Sequence, residues 1–261
     1  MNENDSSAPN QTIINTLVAA GTALILLAVG TVFFISSVRS TPVQADSVSD
    51  STTSSDPLID GQAASDPVGL LAEAENLVFV LADDLDWNLF NQVPRLAALK
   101  EQGITFTNHT VTDSLCCPSR VSIMRGQYIH NHKVISNIEK TGGGWPTFRD
   151  RKEENDCLPV WLSNAGVTTA LFGKYLNDFP SEPKEAKYIP PGWDQWAVPI
   201  SRGDSYTGYN YTLNDNGTLV RYGNKTSDFL NDVITNKATQ FIQTAQQPFF
   251  LELSTYSPHK P

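Results

Sequence analysis

The chain has 261 residues, 40% of them hydrophobic, and a formal net charge of −10 at pH 7. That is enough apolar content for one large domain or two small ones, and the acidic balance argues against nucleic acid or an anionic membrane surface as the main partner. Three cysteines, Cys116, Cys117 and Cys157, make neither a disulfide framework nor a CxxC zinc site.

Residues 1–12 read as a polar tail. No charge occurs between Asp5 and Arg39, and residues 13–38 are dominated by Leu, Val, Ala, Ile, Phe and Gly. Such a run is long enough to cross a bilayer as a transmembrane or signal-anchor helix. Val43-Gln44-Ala45 offers small residues where a signal peptidase cuts, so a cleaved signal peptide is the rival reading. Residues 39–74, rich in Ser, Thr, Asp and Pro, read as a solvated linker rather than a fold.

The folded part begins at 75. Asn76–Ala82 is a continuous apolar run, the pattern of a strand buried on both faces of a parallel sheet. It ends in Asp83-Asp84, with Asp86 close behind. Ligands of open parallel sheets lie beyond the carboxyl ends of strands, and adjacent carboxylates there suit either a hard cation or a solvated turn. Pro94–Gln102 predicts a helix stopped by Gly103, and 104–108 the next strand, which together imply a right-handed crossover into a parallel sheet. A further helix is expected from Cys116: Pro118 suits its first turn, Val121, Ile123 and Met124 continue it, and Gly126 stops it. Cys116 and Arg120 then meet at a helix end that favours an anion.

Cys116-Cys117-Pro118-Ser119-Arg120, followed by Gly126, resembles the C-x-P-S-R signature of type I sulfatases. The resemblance implies that Cys116, not Cys117, is oxidised to formylglycine by a formylglycine-generating enzyme. It also implies that Asp83 and Asp84, together with position 116, ligate Ca²⁺. Because the family works mostly in exported compartments, it places the folded part outside the cytoplasm, anchored through residues 13–38 or secreted.

Further along, His130-Asn131-His132 reads as a polar loop near the pocket rim rather than a metal pair, for want of a third ligand. Leu158–Asn164 predicts a short helix and 167–172 a β-branched strand. Gly173-Lys174-Tyr175-Leu176-Asn177 follows at that strand's carboxyl end and resembles the Gly-Lys motif whose lysine contacts sulfate in this family. Leu176 stands where many arylsulfatases have His, which points to the branch similar to N-acetylglucosamine-6-sulfatases. The Gly-, Pro- and aromatic-rich stretch 188–222 is open between a substrate-facing excursion and ordinary hairpins, with Asn214-Asp215-Asn216-Gly217 as a turn. Asn108, Asn210, Asn216 and Asn224 each begin an Asn-x-Ser/Thr sequon. Residues 228–246 carry helical apolar spacing up to Pro248, and 249–253 predicts a strand. After it, Pro258-His259-Lys260-Pro261 resembles the family's Pro-His-x-Pro, whose histidine meets the sulfate.

The expected fold is α/β, a mostly parallel central sheet with helices on both faces, preceded by a hydrophobic helix. The resemblance covers 76–261 and implies further metal ligands downstream, so 75–261 reads as the N-terminal part of a catalytic domain. The implied function is hydrolysis of a sulfated carbohydrate, through Cys116, Arg120, Lys174 and His259. A phosphate or phosphonate ester hydrolase of the same superfamily, and an inactive membrane-tethered glycan-binding fragment, are the alternatives.

Overall fold

The computed structural model of the protein describes residues 76–200 and 204–260 in full, and the backbone alone of residues 23–29 and 32–37. The expected polar tail and linker lie outside the described residues. Of the apolar helix expected over 13–38, Ala23–Val29 and Val32–Ser37 run as antiparallel strands β1 and β2, and the rest lies outside the described residues. Leu-, Ile-, Val- and Phe-rich runs bury well in either form, and periodicity alone does not separate them. Among the described residues no helix is long and apolar enough to cross a membrane.

The chain continues through β3 (Asn76–Asp83), helices α1 (Trp87–Gln92) and α2 (Pro94–Lys100), β4 (Ile104–Thr105), α3 (Cys116–Arg125) and α4 (Ile129–His132). Helices α5 (Gly144–Asp150) and α6 (Leu158–Asn164) precede β5 (Thr168–Gly173), β6 (Gln195–Pro199) and α7 (Asp204–Thr207). The hairpin β7 (Thr212–Asp215) and β8 (Thr218–Arg221), helix α8 (Leu230–Thr244) and β9 (Phe249–Pro258) complete it. Among the described residues these strands form one sheet of order β4-β2-β1-β3-β9-β5-β6-β7-β8. Neighbours from β1 to β6 run parallel, and the pairs at both edges run antiparallel.

Alternation along the central strands separates two cores. Phe79, Leu171 and Phe250 face a cluster with Cys117, Val121, Trp145 and Trp196, beneath α3, α5 and α6. Val78, Ala170, Phe172, Phe249 and Leu251 face the other side, where Leu230, Ile234, Ala238 and Phe241 of α8 cover them. The α/β architecture with helices on both faces is therefore as expected.

The expected strand over 104–108 is corrected. Only Ile104–Thr105 is a strand, and it pairs antiparallel with β2 instead of lying parallel to β3. Ile104 is 61% exposed, so this stretch has little apolar burial to hold a longer strand in the sheet's interior. The place beside β3 is taken by β9. The aromatic stretch 188–222 resolves towards ordinary packing. Trp193, Trp196 and Tyr211 are buried, β6 extends the parallel sheet, and Asn216-Gly217 makes the hairpin turn at φ 50° and 82°.

One glycine brings β5 and β9 close enough to build a site. Gly173 has φ 112°, and a Cβ there would meet the Ser254 carbonyl oxygen at 1.8 Å. The approach lets the Lys174 N–H donate to that oxygen at 2.8 Å. Substituting Gly173→Ala is expected to destabilise the protein by roughly 2–4 kcal/mol, because both the backbone angle and the contact are incompatible with a Cβ. Chemical denaturation checks this, and a loss below about 0.5 kcal/mol contradicts the role given to this contact.

Candidate active site

The carboxyl ends of β3, β5 and β9 each deliver a side chain to one edge of the sheet. Asp83 is the last residue of β3, only 5% exposed, and Asp84 turns the chain away at φ 58°. Register between β3 and β9 shifts after Ala82, so that Asp83 lies opposite Pro258. Lys174 follows β5 and is 3% exposed. His259 follows β9 and is part-exposed.

Helix α3 enters from the fourth side. It starts at Cys116 with Leu115 as an N-cap that makes no side-chain bond, and ends on Gly126 at φ 60°. Its first turn is tethered from outside, because the Cys117 N–H donates to Asn137 Oδ1 at 2.8 Å. Pro118 has no N–H to satisfy, and Ser119 N–H already reaches the Leu115 carbonyl at 2.9 Å. Among the three free cysteines, Cys116 is the part-exposed one, while Cys117 and Cys157 are buried. Burial pushes the Cys117 thiol up to about 12, so it is inert.

Arg120 is 5% exposed and ties the edge together. Its Nη2 donates to Asp83 Oδ1 at 3.1 Å, and its Nη1 donates to the Lys174 carbonyl at 3.0 Å and to Ser254 Oγ at 2.5 Å. Lys174 Nζ donates to the other oxygen, Asp83 Oδ2. Burial pushes the Asp83 carboxyl up, but Arg120 and Lys174 outweigh it and hold it below the ordinary carboxylate value. At Cys116 the balance goes the other way. Burial raises the thiol, and the pull of Lys174 and Arg120 offsets only part of that.

His259 Nδ1 lies 2.5 Å from the Lys260 carbonyl oxygen, which fixes a proton on Nδ1. Its Nε2 then faces Asp84 Oδ2 at 3.6 Å. One ligand atom each from Asp83, Cys116 and His259 lie within 4.8 Å of one another. That spacing admits a single cation, but the atoms are one oxygen, one sulfur and one nitrogen, so a hard cation finds only the Asp83 oxygen in this group until Cys116 is converted to an oxygen donor. Asp84, expected in the ligand set, stands outside this group, with its side chain 59% exposed and turned to His259. A cleft of about 710 Å³ opens over Asp83, Asp84, Cys116 and Arg120, and His109 and Tyr128 also line it.

Asp83, Cys116, Arg120, Lys174 and His259 are thus gathered at one edge, and several neighbours had no signal in the sequence. Ser254 and Asn137 are polar residues in unremarkable contexts. Tyr206 comes from α7: its ring stands 5.0 Å from Lys174 Nζ and 4.6 Å from the His259 ring, a cation–π and a ring contact at once. Asp86, the spare acid of the sequence, caps α1 through the N–H groups of Asn88 and Leu89. The expectation of a polar rim loop at 130–132 is met in part: His130 and Asn131 are exposed and His130 stacks on Tyr128 of the cleft lining, but the segment is helical and its last residue is not at the rim. His132 is fully buried in α4, accepts the Val134 N–H on Nδ1 at 3.1 Å, and therefore donates from Nε2 to Ser122 Oγ at 2.9 Å. A histidine that donates to a serine is not its base.

The sequence model of the sulfatase family matches residues 75–261. The N-acetylglucosamine-6-sulfatase of Capra hircus is 36% identical over 193 residues, covering 71% of this chain and 34% of the relative. The extracellular sulfatase SULF-1 homolog of Drosophila melanogaster is 34% identical over 195 residues, covering 71% of this chain and 16% of the relative. A solved structure, described as a complex with its substrate D-glucosamine-2-N,6-O-disulfate, superposes with a TM-score of 0.52 at 22% identity. That match covers 70% of this chain and 34% of the other, and it supports the fold. The chain spans about a third or less of the length of these relatives.

The buried group of Asp83, Arg120 and Lys174 sets an acid limit on stability. The depressed Asp83 carboxyl stabilises the fold above its unfolded value and loses that contribution as pH falls through its folded value. Asp83→Asn leaves two buried cations without their counter-charge and is expected to cost roughly 3–5 kcal/mol at neutral pH. The gap from the parent should close below about pH 4. Denaturation curves at several pH values check this, and a gap independent of pH contradicts it.

Proposed function

This chain belongs to the sulfatase family, and from that membership we propose that it hydrolyses the sulfate ester of a sulfated sugar. The substrate class we assign is an N-acetylglucosamine-6-sulfate, on the strength of the similarity to N-acetylglucosamine-6-sulfatases. The observation that carries this reading is the meeting of two buried cations, Arg120 and Lys174, beside a part-exposed thiol at a helix N-terminus.

Cys116 in its thiol form is poorly suited to the chemistry. Burial holds its proton on at neutral pH, and a sulfur nucleophile would stop at a stable thiosulfate. Oxidised to formylglycine and hydrated by one water, position 116 would offer two geminal hydroxyls, one to displace the sugar oxygen from sulfur and one to lose its proton, expel the sulfate and restore the aldehyde. Arg120 and Lys174 orient the sulfuryl oxygens and offset the charge that grows on them. His259, its Nδ1 proton engaged by the Lys260 carbonyl, presents Nε2, which in the imidazolium form would carry the second proton to hand to the departing sugar oxygen. Calcium bound at this edge would add further neutralisation of the sulfuryl group, with Asp83 as the hard oxygen donor in place and Asp84 joining it only on turning from His259. An exported location, with a formylglycine-generating enzyme as maturation partner, completes the reading.

Mass spectrometry of the peptide carrying Cys116, after co-expression with such an enzyme, is expected to show a loss of roughly 18 Da. Turnover of p-nitrophenyl sulfate by the matured protein should then fall at least about a thousandfold in Cys116→Ala. An intact thiol, or a preference for p-nitrophenyl phosphate, would overturn the assignment.

A further inference from the structure

Beneath Arg120 lies an acid that the reaction just described does not use. Successive side chains of β9 alternate between the faces of the sheet. Phe250 belongs to the core under α3, and Ser254 receives the Arg120 guanidinium on that same face. Glu252 stands between them, 7% exposed, with Phe79 of β3 and Leu171 of β5 as its register partners. Together with Arg120 and Lys174 it lines a small cavity whose other walls include Leu81, Ile123 and Met124. The titratable or charged groups facing it are Arg120 from α3 and Lys174 and Tyr175 from the segment after β5, while β3 offers only apolar side chains there. A carboxyl group in such surroundings costs stability when charged, so its presence calls for a reason.

We infer that Glu252 is a positioning residue of the oxyanion site, whose ionisation behind the Arg120 guanidinium weakens the hold of Arg120 on sulfate. Burial raises the Glu252 carboxyl to about 7, with Arg120 pulling the other way. Below that value the acid is neutral, and Arg120 is shared only between Asp83 and an anion. Above it, the Glu252 carboxylate competes with the anion for the same guanidinium. By linkage, an anion in the cleft must in turn make Glu252 harder to ionise. This inference rests on the sulfatase reading for the identity of the anion and on the geometry for everything else.

Inorganic sulfate is the probe, titrated calorimetrically into the parent, Glu252→Gln and Glu252→Met proteins at about pH 6 and about pH 8. The parent should bind sulfate roughly three- to tenfold more weakly at the higher pH, while both neutral variants keep one affinity, close to the parent's low-pH value. The same variants should unfold at higher temperature than the parent already at the lower pH and by a wider margin at the higher, because the penalty on a raised carboxyl accrues from its unfolded value up to its folded one. Carboxyl carbon NMR of the parent needs no variant: saturating sulfate should move the Glu252 midpoint upward. A slope shared by all three proteins, or a midpoint that ignores sulfate, overturns the role of Glu252 and leaves the sulfate site standing. Failure of the parent to bind sulfate at either pH overturns both.

Discussion

The carboxylate of Asp83 accepts one hydrogen bond from Arg120 at 3.1 Å and another from the Lys174 ammonium, at a place where all three side chains are nearly closed to water. Removing these charges from solvent is costly, and it is tolerated only because each partner is satisfied. Arg120 also binds Ser254 and the Lys174 carbonyl, so one guanidinium joins α3 to the ends of three different strands. Such a network stabilises only modestly for its cost, but it admits one arrangement. The strand ends cannot slip without leaving a buried charge unpaired.

That constraint also shapes the chemistry. With α3 held by Arg120 below and by Asn137 at its first turn, Cys116 is left at the exposed end of a fixed helix, within 4.8 Å of the ligand atoms of Asp83 and His259. The thiol's own environment disfavours a thiolate. Tyr206 closes one side by lying against both Lys174 and His259. It restricts the Lys174 and His259 side chains without adding charge.

Much of this was legible from residue patterns because parallel strands buried on both faces leave long apolar runs. β3, β5 and β9 each have one, and each run ends in the residue that reaches the site: Asp83, Lys174 and His259. Pro118 and Gly126 marked α3 for local reasons that tertiary packing did not override. What escaped had no local cause. Ile104–Thr105 fell to the sheet edge because its burial depends on β2, far away in sequence. His132 is buried by packing that a His-Asn-His tripeptide does not announce. β6 hides in a Pro- and Trp-rich stretch whose composition resembles a loop. Glu252 interrupts an otherwise apolar strand, and only the register with Phe79 and Leu171 reveals that it points into the protein beneath Arg120.

The central claim is spatial: position 116, Arg120 and Lys174 surround one sulfuryl group at the carboxyl edge of the sheet. The most direct test is a crystal structure of the Cys116→Ser protein with N-acetylglucosamine-6-sulfate bound. The account predicts the sulfate group against position 116, with Arg120 and Lys174 donating to its oxygens and the sugar ring lying in the cleft towards Tyr128. A sulfate group bound away from Arg120 and Lys174, with the Asp83 edge untouched, would contradict it.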